Sequence, residues 1–277
     1  MQISSIAIRT IRKITPAGNK DQEDSLAVEE PLEISISSSE NGIPVKKSIS
    51  VTMRTPGHDD ELALGFLFTE GIIKNNNQVK QVSTSILDEN KILVSLNDGE
   101  IPNLNTSERN FYTTSSCGVC GKASIDAIKT TSLYSIQADT ISVSQTIIFS
   151  LVAQLKKQQE IFESTGGLHA SALFDLAGNF ISLREDVGRH NALDKLIGSA
   201  FIKESLPLTD RILLLSGRAS FELIQKASMA GIRIVAAIGA PSSLAVELAE
   251  ECNMTLIGFL GKDKLNIYSG FDRISEI

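Results

Sequence analysis

Apolar and polar residues alternate in Leu32-Glu33-Ile34-Ser35-Ile36 and again in Ile49-Ser50-Val51-Thr52-Met53, a period of two that predicts two half-buried strands. The turn-forming Asn41-Gly42 separates them. Then the period lengthens. Thr55 has the side chain of an N-cap and Pro56 suits the first helical position, while Asp59, Asp60 and Glu61 put negative charge where a helix dipole favours it. This helix is expected to run to Glu70 and stop at Gly71. Leu62, Leu64, Phe66, Leu67 and Phe68 surround most of its cylinder, the pattern of a buried helix. Ile92-Leu93-Val94 adds a strand before the polar run Asn97 to Asn110, which reads as a linker.

Beyond residue 140 helical and extended patterns take turns. Ile148, Leu151, Val152 and Leu155 have helical spacing, and Ser171 to Asp175 with Phe180 to Leu183 flank Ala177-Gly178-Asn179 as a hairpin. Ala192, Leu193, Leu196, Ile197 and Ala200 mark an amphipathic helix. Strands at Arg211–Leu215, Arg233–Ile238 and Thr255–Phe259 then alternate with helices at Ser220–Ala230 and Ser242–Cys252. That succession predicts an α/β layer with a partly parallel sheet. Two regions are expected: a β-rich part with one helix over residues 1–110, and an α/β part over residues 111–277.

Composition narrows the partners. A formal net charge of −7 disfavours nonspecific binding to DNA or anionic membranes, though a local basic pocket remains open. With 5% aromatics and no Trp, an aromatic platform for nucleic acid is not expected. No apolar run has membrane-spanning length, and Met1-Gln2-Ile3-Ser4-Ser5-Ile6 lacks the features of a secretory signal, so a cytoplasmic location is expected. Three cysteines do not make a disulfide scaffold.

Two of them stand in Ser115-Ser116-Cys117-Gly118-Val119-Cys120-Gly121, a spacing shared by zinc sites, redox dithiols and sulfur carriers. Structural zinc needs four ligands, and there is no second cysteine pair; His58, His169 and His190 are far apart in sequence. A zinc deaminase pairs His-x-Glu with a later Cys-x-x-Cys. Here Ser171 stands in place of the acid after His169, and the cysteines come first. A thioredoxin-like site needs a buried strand before the pair, which Thr113-Thr114-Ser115-Ser116 does not supply. Gly118 and Gly121 instead suggest an accessible loop. Ser216-Gly217-Arg218, between an apolar strand and a helix, has the setting of an anion site and equally of a plain connection. Thr165-Gly166-Gly167-Leu168-His169 and Glu185-Asp186-Val187-Gly188-Arg189-His190-Asn191 either line a pocket or, through Asp186, cap the next helix.

In order and spacing, these four motifs resemble the FdhD family of formate dehydrogenase accessory sulfurtransferases, over about Glu30 to Tyr268. The resemblance implies a cytidine deaminase-like mixed sheet layered with helices, without zinc, plus the smaller β-rich N-terminal region. It implies a sulfurtransferase that moves sulfur from a cysteine desulfurase to the molybdenum bis(molybdopterin guanine dinucleotide) cofactor destined for formate dehydrogenase. By the same resemblance Cys117 carries the persulfide, Cys120 assists or resolves it, and Phe259-Leu260-Gly261-Lys262-Asp263-Lys264 contacts the cofactor. A ligand with two guanine arms suits a homodimer. Two rival classes are a non-catalytic cofactor chaperone and, further off, a zinc-dependent deaminase.

Overall fold

The computed structural model describes residues 4–40, 43–85, 88–104, 134 and 140–276. Its first elements, β1 (Ile6–Thr15) and β2 (Gly18–Ala27), pair as an antiparallel hairpin that makes its own two-stranded sheet. The alternating strands expected at 32–36 and 49–53 lie inside longer ones, β3 (Glu30–Glu40) and β4 (Ile43–Arg54). They pair antiparallel with Ile34 opposite Ser50; Asn41 and Gly42 lie outside the described residues. After α1 (Asp59–Thr69), strands β5 (Val79–Thr84) and β6 (Lys91–Leu96) complete a four-stranded sheet in the order β4-β3-β6-β5.

The α1 start corrects a local expectation. Its N-cap is His58 in the left-handed conformation, three residues beyond Thr55. Thr55 is held elsewhere: its hydroxyl accepts from Val187 N–H at 3.2 Å, and its own N–H donates to the Asp186 carboxylate at 3.1 Å. The helix stops where expected, with Gly71 at φ 71° after the C-cap Glu70.

The later elements are β7 (Val143–Ser144), α2 (Gln145–Gln158), α3 (Glu160–Thr165), β8 (His169–Asp175), β9 (Phe180–Asp186), α4 (Arg189–Ile202), β10 (Arg211–Leu215), α5 (Phe221–Met229), β11 (Ile234–Ala237), α6 (Ser243–Glu251), β12 (Thr255–Gly258), β13 (Asn266–Ser269) and β14 (Ile274–Ser275). A six-stranded sheet runs β13-β12-β11-β10-β8-β9, with β10, β11 and β12 parallel and β8, β9 and β13 antiparallel to their neighbours. This is a mixed α/β architecture, with six helices and four sheets among the described residues.

The apolar runs of the central strands are explained by burial on both faces. Leu213, Leu215, Val235, Ala237 and Leu256 enter one core with α1, α4, α5 and α6, whereas Ile212, Leu214, Ile234, Ala236 and Ile257 enter another with α2. The first core also takes Leu32, Ile34, Ile36, Ile92, Val94 and Leu96 from the four-stranded sheet, so that sheet and the six-stranded one share the α1–α4 layer. Each fully buried aliphatic side chain contributes roughly 1.5–3 kcal/mol by leaving water.

Two glycines set how close that layer packs. A Cβ at Gly65 of α1 would stand 1.9 Å from the Asp194 carbonyl oxygen, and one at Gly198 of α4 would stand 1.8 Å from that of Glu61. The helices therefore touch backbone to backbone.

Candidate functional site

The three parallel strands end at the same side of the sheet, and their following turns nest on one another. Gly239 N–H donates to Gly217 O at 2.9 Å, and Phe259 N–H donates to Gly239 O at 3.1 Å. Glycine makes the nesting possible. A Cβ at Gly239 would lie 3.0 Å from the Arg218 backbone, and one at Gly258 would lie 2.7 Å from the Pro241 ring. Phe259 is in the left-handed region at φ 52° and 46% exposed, while Leu260 is buried and Lys262, Asp263 and Lys264 are exposed. The loop named from the resemblance is thus an accessible rim at the strand ends, beside the exposed Arg218.

The start of β8 joins the same end. Ser216 N–H donates to Ala170 O at 3.0 Å, and Ala170 N–H returns a bond to Ser216 Oγ at 2.8 Å. His169 is the cross-strand partner of Asp186. A Cβ at Gly217 would come within 3.3 Å of His169 Nδ1, so this glycine gives the imidazole room. Burial, then the Arg189 guanidinium, hold the His169 pKa below its ordinary value against the opposing pull of Asp186.

Between α3 and these strand ends opens a cleft of about 650 Å³. His169, Ser216, Ile238, Leu168, Gly166 and Gly167 line it, with Lys156, Gln159, Phe162 and Glu163 contributing from α2 and α3. Glu185 fixes α3 by accepting from Ile161 N–H at 3.2 Å and Phe162 N–H at 3.0 Å.

Asp186 organises the turn that leads into α4. Its buried carboxylate accepts from Gly188 N–H at 2.8 Å, Thr55 N–H at 3.1 Å and Asn191 Nδ2 at 3.2 Å, and pairs with Lys195 Nζ at 2.7 Å. Desolvation nonetheless pushes its pKa up, with Lys195 the main opposing influence. The next helical turn holds a second buried cluster. Lys226 Nζ lies 3.0 Å from Asp194, 3.3 Å from Glu70 and 3.0 Å from Thr69 Oγ1. Burial pushes Asp194 up to about 6 against the pull of Lys226 and Thr69, the nearby Glu70 adding to the rise, while Asp194 and Glu70 raise Lys226 against its own burial. His190 is pushed down to about 3 by burial, Lys226, Arg189 and His169, so its contacts at 3.4 Å with Ser220 Oγ and Glu222 are those of a neutral imidazole.

Of the residues singled out in the sequence, the structure brings together His169, Ser216-Gly217-Arg218, the Glu185 to Asn191 turn and Phe259 to Lys264. Cys117 and Cys120 lie outside the described residues. Among the described residues, no group of three His, Cys, Asp or Glu side chains is placed to hold a metal ion. Sequence reasoning missed Lys156, Lys195 and Lys226, and gave Thr55 a different role. The signal for Lys195 was available: Asp194 and Lys195 interrupt an apolar helix, and both are buried.

Comparison with known proteins defines the class. Residues 27–275 match the FdhD/NarQ family, and the chain belongs to that family. It is 46% identical over 279 residues to the sulfur carrier protein FdhD of Mycobacterium tuberculosis, covering 97% of this chain and 98% of that one. Similar proteins of the same name come from Picrophilus torridus, 48% identical over 254 residues with 91% and 92% covered, and from Sulfolobus acidocaldarius, 42% identical over 274 residues with 99% of each covered. The fold is also that of a crystal structure from Desulfotalea psychrophila, provisionally described as a formate dehydrogenase accessory protein. That match has a TM-score of 0.73 at 21% identity and covers 98% of this chain and 100% of the other.

Proposed function

We propose that this chain is a cytoplasmic sulfurtransferase, taking sulfur from a cysteine desulfurase and passing it to the molybdenum bis(molybdopterin guanine dinucleotide) cofactor needed by formate dehydrogenase. What carries the reading is full-length similarity to proteins named sulfur carriers, in a chain that holds Cys117-Gly118-Val119-Cys120. In the loading step the Cys117 thiolate attacks the terminal sulfur of the desulfurase persulfide. A new S–S bond forms on Cys117, the old one breaks, and the desulfurase cysteine leaves as a thiolate. The outer sulfur is soft and suits molybdenum, the cargo's metal. Cys120 assists this transfer or, with no acceptor bound, resolves the persulfide: its thiolate attacks the sulfur of Cys117, a disulfide forms, and the outer sulfur leaves as hydrosulfide.

The loop Phe259 to Lys264 contacts the cofactor, and its exposed lysines at the strand ends support that role. The order β9-β8-β10-β11-β12, in which β8 alone runs against the direction shared by β9 and the three parallel strands, supports the cytidine deaminase-like reading. A homodimer gives one site to each guanine arm. The test is to incubate the protein with desulfurase and ³⁵S-cysteine and to measure bound label. Wild type is expected to take up one reductant-labile sulfur and Cys117→Ala none; equal labelling overturns the assignment.

A further inference from the structure

A sulfur carried as a persulfide and a sulfur bound to a metal differ in oxidation state. In the loading step proposed above for Cys117 the atom passes from one persulfide to another, so it arrives as sulfane sulfur and no electrons are consumed. A metal holds a terminal sulfur as sulfide, which is two electrons richer. Delivery therefore needs a two-electron donor. Hexavalent molybdenum has no d electrons to give, so for a fully oxidised cargo the pair comes from elsewhere.

Among side chains, a pair of thiols supplies two electrons directly, by closing a disulfide. The chain has three cysteines. Cys252 is the C-cap of α6, where its N–H donates to Leu248 O at 2.9 Å and its side chain packs, partly buried, against the larger core. A thiol packed there serves as a small hydrophobe. Cys120 follows Cys117 with two residues between them, a spacing that permits closure. The ends of a four-residue turn come within about 7 Å, and disulfide-bonded Cα atoms lie about 4.4–6.8 Å apart.

We infer that each sulfur is delivered as hydrosulfide with oxidation of Cys117 and Cys120 to a disulfide, and that the chain has a further partner class, a dithiol reductant that restores the pair. The inference rests on the carrier role of Cys117. The Cys120 thiolate, its proton lost to solvent, attacks the Cys117 sulfur. A bond forms between the two cysteines, the bond from Cys117 to the outer sulfur breaks, and that sulfur leaves with the electron pair to bind the metal. The metal keeps its oxidation state. The exchange that empties the carrier without an acceptor is thus the delivery step when the cargo is bound. An incoming dithiol then reduces the disulfide by two exchanges, becomes a disulfide itself and leaves a proton on each cysteine. Until it does, Cys117 has no thiolate to load, so delivery and reloading cannot overlap.

The test loads the full chain from desulfurase already charged with labelled persulfide, removes small thiols, and adds formate dehydrogenase made without its sulfurtransferase, all under anaerobic conditions. Formate oxidation reads delivery, and maleimide labelling of the unfolded chain counts free thiols. Wild type is expected to fall from three labelled cysteines to one as the enzyme gains activity, and to refuse a second sulfur until reduced thioredoxin is added. Cys120→Ala is expected to load and to lose delivery. Cyanide, which takes sulfane sulfur as thiocyanate without consuming electrons, is expected to recover as much label from this variant as from wild type, which guards against a folding defect. Cys252→Ala is expected to deliver as wild type does. Three free thiols after delivery, or full delivery by Cys120→Ala, would mean that the metal supplied the electrons; either overturns the inference and leaves the carrier role of Cys117 intact. Failure of wild type to take up label overturns both.

Discussion

Replacing Gly198 by alanine tests whether the α1–α4 contact sets the geometry of the whole helical layer. The new methyl would meet the Glu61 carbonyl oxygen at 1.8 Å, with Gly65 N at 2.9 Å, and neither is a flexible side-chain end. To reach even a tight contact the helices must part by about 1 Å, which forfeits a quarter or more of the dispersion attraction of the atoms that separate. Overpacking against backbone lies at or above the upper end of the usual range, about 3 kcal/mol, while alanine returns about 1 kcal/mol of helix propensity. A net loss of about 2 kcal/mol or more is expected, and with a urea slope of about 3 kcal/mol/M the midpoint falls by roughly 0.7 M. Gly65→Ala behaves alike, and the double variant costs less than the two single losses together, because helices already parted accept the second methyl. Gly261→Ala is the control, since its nearest neighbours would be at 3.6 Å. An unchanged or raised midpoint for Gly198→Ala, the response of propensity alone, refutes the reasoning.

Two further outcomes follow from the buried charges. Asp194 is pushed up to about 6, so in this window the native state binds more protons than the unfolded chain, and its contribution to stability falls as pH rises from about 4 to 6. Relative to wild type, Asp194→Asn should therefore gain up to about 3 kcal/mol across that interval in urea melts at successive pH values; a constant difference sinks the assignment. Lys195→Met leaves the buried Asp186 without its ammonium and should cost about 3–5 kcal/mol at pH 8. The loss shrinks at pH 5, where the stranded carboxyl takes up a proton, and a pH-independent loss argues against the ion pair as its cause.

What was legible in the sequence was local. The strand alternation at Leu32 to Ile36 and the helix limits at Ser220–Ala230 and Ser242–Cys252 each depend on a short pattern, and the structure repeats them. The β1–β2 hairpin depends on no such pattern. Most of its residues are exposed on both faces, its backbone ladder and the Arg12–Asp21 pair hold it, and a strand such as Gly18–Ala27 carries almost no apolar signal. The displaced start of α1 was illegible for another reason. Thr55 has the chemistry of a cap, but Asp186 and Val187, more than 130 positions away, claim its N–H and hydroxyl.

The Glu185 to Asn191 motif shows how the two readings open in the sequence divide between residues. Asp186 does serve the helix start, but through Gly188 N–H and with Thr55, Asn191 and Lys195 bound to the same carboxylate. Glu185 does serve the pocket, by fixing the α3 wall. Burial first, and neighbouring cations including Arg189 after it, hold the pKa of both His169 and His190 below the ordinary value. That one motif serves both the helix start and the cleft wall depends on the cross-strand register of His169 with Asp186, which residue order alone does not display.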